Sequence, residues 1–125
     1  MLQLAKGGCK VIEALYRPTL NGSISAPLRA RSAGHYLVNR PWQEGPVRKP
    51  FLELFWGISG EGDFVAEDGG LWTLRPGEVI FYLPGDTHRI SAHSAQWEYR
   101  WLICDGEHLD GVIAAFELGR RPVSA

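Results

Sequence analysis

Gly77-Glu78-Val79-Ile80-Phe81-Tyr82-Leu83-Pro84-Gly85-Asp86-Thr87-His88 decides the fold. A glycine turn releases six strand-forming residues, and a Pro-Gly-Asp turn stops them and starts the next strand at Thr87. The same alternation of short apolar runs and turns continues on both sides. Upstream, Phe51 to Ser59 is an apolar run broken by one carboxylate, Glu53, and bounded by Gly60 and Gly62. Phe64–Ala66 and Leu71–Leu74 flank Glu67-Asp68-Gly69-Gly70, a hairpin connection with glycines where positive φ is needed. Downstream, Thr87–Ala92 is followed by a strand over Gln96–Cys104, whose Trp97, Tyr99 and Trp101 recur at spacing two and so share one face.

Farther out the signal weakens. Gly8 to Tyr16 contains a first strand stopped by Pro18, and residues 19–34, poor in large apolar side chains, read as irregular. His35 to Asn39 reads as a strand. Arg40-Pro41-Trp42 through Lys49-Pro50 reads as a proline-bracketed loop. After the last strand the period changes: Leu109, Val112, Ile113 and Phe116 make one helical stripe over residues 107–118. Asp105 is placed to cap that helix, and Gly119 and Pro122 to end it. The architecture expected is all-β, a sheet closing on itself, with one amphipathic helix after it. Its parts are an N-terminal arm (1–34), a barrel (35–104), the helix (105–119) and the start of a linker (120–125).

Composition bounds the function. At 125 residues the chain is expected to hold a single core. Its 15 glycines and 8 prolines favour many short strands over long helices. A net charge of −1 gives no electrostatic footprint for nucleic acid. Cys9 and Cys104 lie far apart, form no CxxC pair and read as reduced thiols of a cytoplasmic protein, although one disulfide stays open. No signal peptide is evident and no apolar run is long enough to span a membrane.

The 77–88 stretch resembles the second cupin motif, and Glu53 with Gly60 resembles the end of the first. Metal-binding cupins carry an HxH pair just before that glutamate. Here the matching stretch, Pro46-Val47-Arg48-Lys49-Pro50, has no histidine, which leaves Glu53 and His88. Two donors are too few for a firmly held transition metal. No metal and no other cofactor is expected.

From Gly34 to Gly106 the chain resembles the effector-binding domain of AraC/XylS-type transcription regulators. The resembling pieces are Ala33-Gly34-His35, the loop around Arg48, Gly60-Glu61-Gly62, Leu74-Arg75-Pro76-Gly77, Pro84-Gly85 with His88, and Trp97-Glu98-Tyr99-Arg100-Trp101 ending at Asp105-Gly106. The resemblance implies a cupin-type (jelly-roll) barrel that holds a small-molecule effector under an N-terminal arm. It implies a homodimer assisted by the trailing helix, and DNA contact only through a helix-turn-helix pair that would follow, so this chain is expected to be a piece of a longer regulator, with a stand-alone sensor as the alternative. Arg48, Glu53, His88, Trp97, Tyr99 and Trp101 are the expected ligand-binding residues. The aromatic row offers a stacking face for a sugar or an aromatic effector. Glu53, inside an apolar strand, needs a partner such as Arg48, His88, ligand or water. Core packing is the competing fate of the aromatic row, and backbone hydrogen bonding that of His88. Whether Arg29 and Arg31 belong to the arm or to solvated surface stays open. No enzymatic activity is expected; a metal-dependent isomerase or dioxygenase, or a degenerate cupin that only dimerises, are the alternatives.

Overall fold

The computed structural model describes residues 3–5, 8–16, 27–66, 68–119 and 121–124. Its strands are β1 (Gln3–Ala5), β2 (Cys9–Tyr16), β3 (Arg29–Asn39), β4 (Gln43–Arg48), β5 (Leu52–Ser59) and β6 (Gly62–Val65). They continue as β7 (Leu71–Leu74), β8 (Glu78–Tyr82), β9 (Thr87–Ala92) and β10 (Gln96–Asp105). One helix, α1 (Leu109–Ala115), precedes a two-residue strand, β11 (Val123–Ser124). The strands form a seven-stranded sheet in the order β1-β2-β3-β10-β5-β8-β11 and a four-stranded sheet in the order β4-β9-β6-β7. Every pairing is antiparallel. The fold is the cupin-type all-β barrel.

Alternation assigns the interior. Along β10, Trp97, Tyr99, Trp101 and Ile103 are buried while Glu98, Arg100 and Leu102 face out. They meet Val38, Phe55, Phe64, Leu74, Ile80, Tyr82 and Ile90 in one continuous core. Two glycines make room for the largest rings: a Cβ on Gly34 would overlap the Trp101 indole, and one on Gly62 the Trp97 indole.

Five local expectations need correction. The 40–50 segment is not a loop, because it contains β4, which pairs with β9 at the sheet edge. Gly45 and Pro46 sit where the register shifts between Glu44 and Val47, and an edge bulge is where a sheet tolerates a proline. Residues 29–34, expected to be irregular, begin β3, paired on both sides by β2 and β10; residues 17–26 of that expectation lie outside the described residues. The helix is seven residues rather than twelve. Asp105 does not cap it; its carboxylate is 3.0 Å from Arg29 and 3.4 Å from Arg31, while the N-cap is His108 without a side-chain bond. Of the stripe, Leu109 is buried, Val112 and Ile113 are half-buried, and Phe116, past the last helical residue, is 74% exposed. Within the segment read as linker, Val123–Ser124 forms β11 on the edge of β8, and the Arg121 guanidinium lies 5.5 Å from the Trp72 ring centre.

Candidate functional site

One end of the barrel interior keeps a cavity of about 170 Å³, lined by Tyr16, Tyr36, Glu44, Lys49, Glu53, Phe55, Tyr99, Trp101 and Ile103. The side chains arrive from five strands and one loop. Tyr16 and Tyr36 come from β2 and β3, Glu44 from β4, Glu53 and Phe55 from β5, and Tyr99, Trp101 and Ile103 from β10. Lys49 comes from the short connection between β4 and β5.

Charge sits on one wall and aromatic surface on the other. The Lys49 ammonium lies 3.0 Å from Glu44 Oε1 and 3.2 Å from Glu53 Oε1. Its desolvation works against the charge, but the two carboxylates outweigh it and hold the Lys49 pKa above the ordinary lysine value. Glu53 is 4% exposed, so this contact answers the requirement that a buried carboxylate find a cation. Opposite, the Tyr36 ring packs 5.6 Å from Trp101 and 5.8 Å from Tyr99, and Tyr16 lies 5.8 Å from Trp101. The Tyr16 and Tyr36 hydroxyls are 3.0 Å apart. Burial holds the Tyr99 and Tyr36 phenols well above their usual range, and the Glu44 charge pushes both further. They are neutral hydroxyls at any working pH, able to donate as well as accept.

Glu53, Tyr99 and Trp101 therefore line this cavity together. His88 stands one layer behind: it is fully buried, its Nδ1 is 3.2 Å from Glu53 Oε1, and its ring stacks 4.1 Å from Tyr82 at 23°. The short approach to Glu53 is not aligned as a hydrogen bond, and neither ring nitrogen makes one among the described residues. The backbone-bonded turn histidine is thus not what the structure holds; His88 lies in β9, touching Glu53. Trp97 is away from the cavity. It stacks 4.1 Å from Tyr99, with Phe64 at 5.6 Å and Trp42 at 6.4 Å, and belongs to the sealed core. Arg48 is on the exposed side of β4, and the neighbouring Lys49 takes the role expected of it beside Glu53.

Tyr16, Tyr36, Glu44 and Lys49 were not among the expected site residues. For the tyrosines a signal existed, since strand alternation puts Tyr36 on the same face as Val38. Glu44 lies in a strand hidden by Gly45-Pro46 and Lys49 just after it, and neither carried such a signal.

The cupin fold raises the question of a metal, and the donors answer it. Glu53 and His88 are the two candidates, Lys49 already occupies Glu53, and among the described residues no cluster of three or more His, Cys, Asp or Glu side chains forms. This donor set does not fit a transition metal. No helix among the described residues is long and apolar enough to cross a membrane.

Comparison with known proteins agrees with the barrel. A cupin 2 conserved barrel domain protein from Salinispora arenicola superposes with a TM-score of 0.56 at 17% identity, covering 82% of each chain. An HTH_3 family transcriptional regulator from Vibrio cholerae gives 0.59 at 14% identity, covering 80% of this chain and 52% of that one. A predicted oxalate decarboxylase from Thermotoga maritima gives 0.53 at 22%, covering 59% of this chain and 65% of that one. At these identities the likeness concerns the fold alone. No curated protein matches the sequence. The family model of the AraC-like ligand binding domain matches residues 34–123, most of the chain, and the chain belongs to that family.

Proposed function

We propose that the domain is the sensor of an AraC-type transcription regulator and binds a small, neutral, polyhydroxylated molecule of the sugar or polyol class in the cavity at Glu53. One observation carries this reading: a carboxylate–ammonium–carboxylate cluster, Glu44–Lys49–Glu53, faces aromatic rings across about 170 Å³. Hydroxyl groups accept from Lys49 and donate to the carboxylates, while Trp101 and the tyrosines offer flat faces to the C–H side of a ring. Two carboxylates against one ammonium leave a negative balance that disfavours anionic ligands. The volume lies below the roughly 300 Å³ where drug-sized pockets begin, which restricts the ligand to a small molecule.

In this reading the domain acts in the cytoplasm as a homodimer, without a metal or other cofactor and without catalysis. It reaches DNA only through a helix-turn-helix domain outside these residues. Membership of the AraC-like ligand binding family supports the setting, and the poor donor set weighs against the decarboxylase-like alternative.

The test is thermal denaturation with a panel of neutral monosaccharides and polyols. A ligand at a hundredfold its Kd adds about 2.7 kcal/mol, several degrees for a domain of this size. Tyr36→Phe and Glu44→Gln should leave the melting temperature of the free protein within about 2 °C, because each removes a single polar contact. Both should cut the ligand-induced shift by more than half. A shift that survives both variants unchanged places the ligand elsewhere.

A further inference from the structure

The two sheets meet at a seam between β7, the last strand of the four-stranded sheet, and β8, which has only the two residues of β11 beyond it. Among the described residues no strand pairing joins β7 to β8. A second cavity, of about 450 Å³, lies at this seam, and its lining includes Asp68, Trp72, Tyr82, Asp86 and Arg121. Register puts Trp72 opposite Phe64, on the inward face of β7. The Arg121 guanidinium stands 5.5 Å from the Trp72 ring centre, within cation–π range. From Arg121 the chain runs on into β11, whose Val123 and Ser124 pair with Val79 and Glu78. The tail is thus strapped to the barrel at two points, a ring contact on β7 and a strand contact on β8.

Tyr82 joins this cavity to the one at Glu53. It lines the seam and stands directly opposite Glu53 in the β5–β8 register, so the two side chains share the inward face. Its hydroxyl donates to the Val65 carbonyl at 3.0 Å and accepts from the Arg89 N–H at 3.1 Å, which ties β8 to β6 and β9. His88 completes a triangle, its ring stacked 4.1 Å from Tyr82 and its Nδ1 3.2 Å from Glu53 Oε1. That imidazole is fully buried, and among the described residues neither of its nitrogens makes a hydrogen bond. Its place is set by packing on Tyr82 and by the Glu53 carboxylate rather than by a bond of its own.

A strap held by two strand residues and one ring contact sits at the low end of local stability, so a small change behind Tyr82 is enough to shift it. We propose that residues 121–124 form a latch whose docking at the seam reports the state of Glu53 through His88 and Tyr82. This role rests on the sensor reading above and gives the occupied cavity a route to the segment that follows the barrel. A ligand that draws Glu53 away from His88 loosens the imidazole, then Tyr82, then the strap.

The test is amide hydrogen exchange of the whole chain by NMR, reading Arg121, Val123 and Ser124. No sugar or polyol is present, so failure of the latch and failure of the cavity reading are separate results. Wild type should protect these amides at least about tenfold over the unfolded chain. Arg121→Gln should lower the protection about two- to fivefold, the worth of an exposed cation–π contact. Glu53→Gln should lower it at least about threefold, with the amides of β10 recording any global loss. Glu44→Gln, on the same cavity but not in contact with His88, should leave it within about 1.5-fold. Coupling is reciprocal, so Arg121→Gln should also shift the ring resonances of His88. Arg121 is exposed, so that readout stands even where Glu53→Gln does not fold. An unprotected tail in the wild type, equal effects of Glu53→Gln and Glu44→Gln, a loss that only follows that of β10, or unmoved His88 resonances would each overturn the latch.

Discussion

Trp97 and Trp101 stand four residues apart on one strand, face the same interior and are both nearly inaccessible, yet they lie in different environments. Around Trp97 the barrel is filled: Tyr99 stacks on it, Phe64 meets it edge-on, Trp42 closes one side and Gly62 leaves room for the indole. Around Trp101 the packing is incomplete, and Tyr16, Tyr36, Glu44, Lys49 and Glu53 surround space instead of filling it. The filled end needs only volume and shape. The open end places two carboxylates and an ammonium on the same inward-facing positions, where apolar side chains would have completed the seal. Strand periodicity tells which face a residue takes, but not how deep along the barrel axis it sits.

The largest effect should come from breaking the filled end. Trp97→Ala leaves a cavity among packed rings and should cost about 3–5 kcal/mol in urea denaturation. A cost near 1 kcal/mol would mean the Trp97 end is as loosely packed as the Trp101 end.

At the open end the cost should be smaller and electrostatic. Glu53→Ala removes one of the two carboxylates on Lys49 and is expected to destabilise by about 2 kcal/mol. Lys49→Met/Glu53→Leu, which removes both charges, should recover most of that loss, since an apolar replacement of a buried pair is often neutral. A double variant no better than Glu53→Ala would show that the charges are worth more than their removal from water.

The smallest effect is a pH dependence at Cys9, which register sets in one row with Val38 and Trp97 at the filled end. Burial, then the Glu44 charge, raise the Cys9 thiol from 9.0 to about 11. The unfolded thiol loses its proton first, so the folded state binds more protons between those values and stability falls as pH rises from about 9 to about 11. Cys9→Ala should flatten that part of the curve. An unchanged slope would place Cys9 in a less desolvated setting than its position beside Val38 implies.

The contrast between the ends also explains how much could be read beforehand. The strands from Leu52 to Asp105 were legible because glycine and proline turns punctuate regular alternation, and the inward face of β10 followed directly. Strand β4 was not, because Gly45-Pro46 reads as a loop unless its edge pairing with β9 is known. With β4 missing, Arg48 and Lys49 could not be told apart: the first stays on the outer side, while the second turns toward Glu53. Asp105 reads as a helix cap by local rules, but a tertiary contact with Arg29 and Arg31 overrides them. Glu53 was legible for the opposite reason. A lone carboxylate in an apolar strand demands a partner, and that demand pointed to the site.

The most direct test of the two-ended interior follows the indole N–H resonances of the five tryptophans by NMR. The titrant is whichever sugar or polyol raises the melting temperature. The Trp101 indole should shift on binding while that of Trp97 moves far less, reaching ligand only through Tyr99. Movement of Trp97 with Trp101 unperturbed, or stabilisation with neither indole moving, would contradict a ligand cavity at the Trp101 end of the barrel.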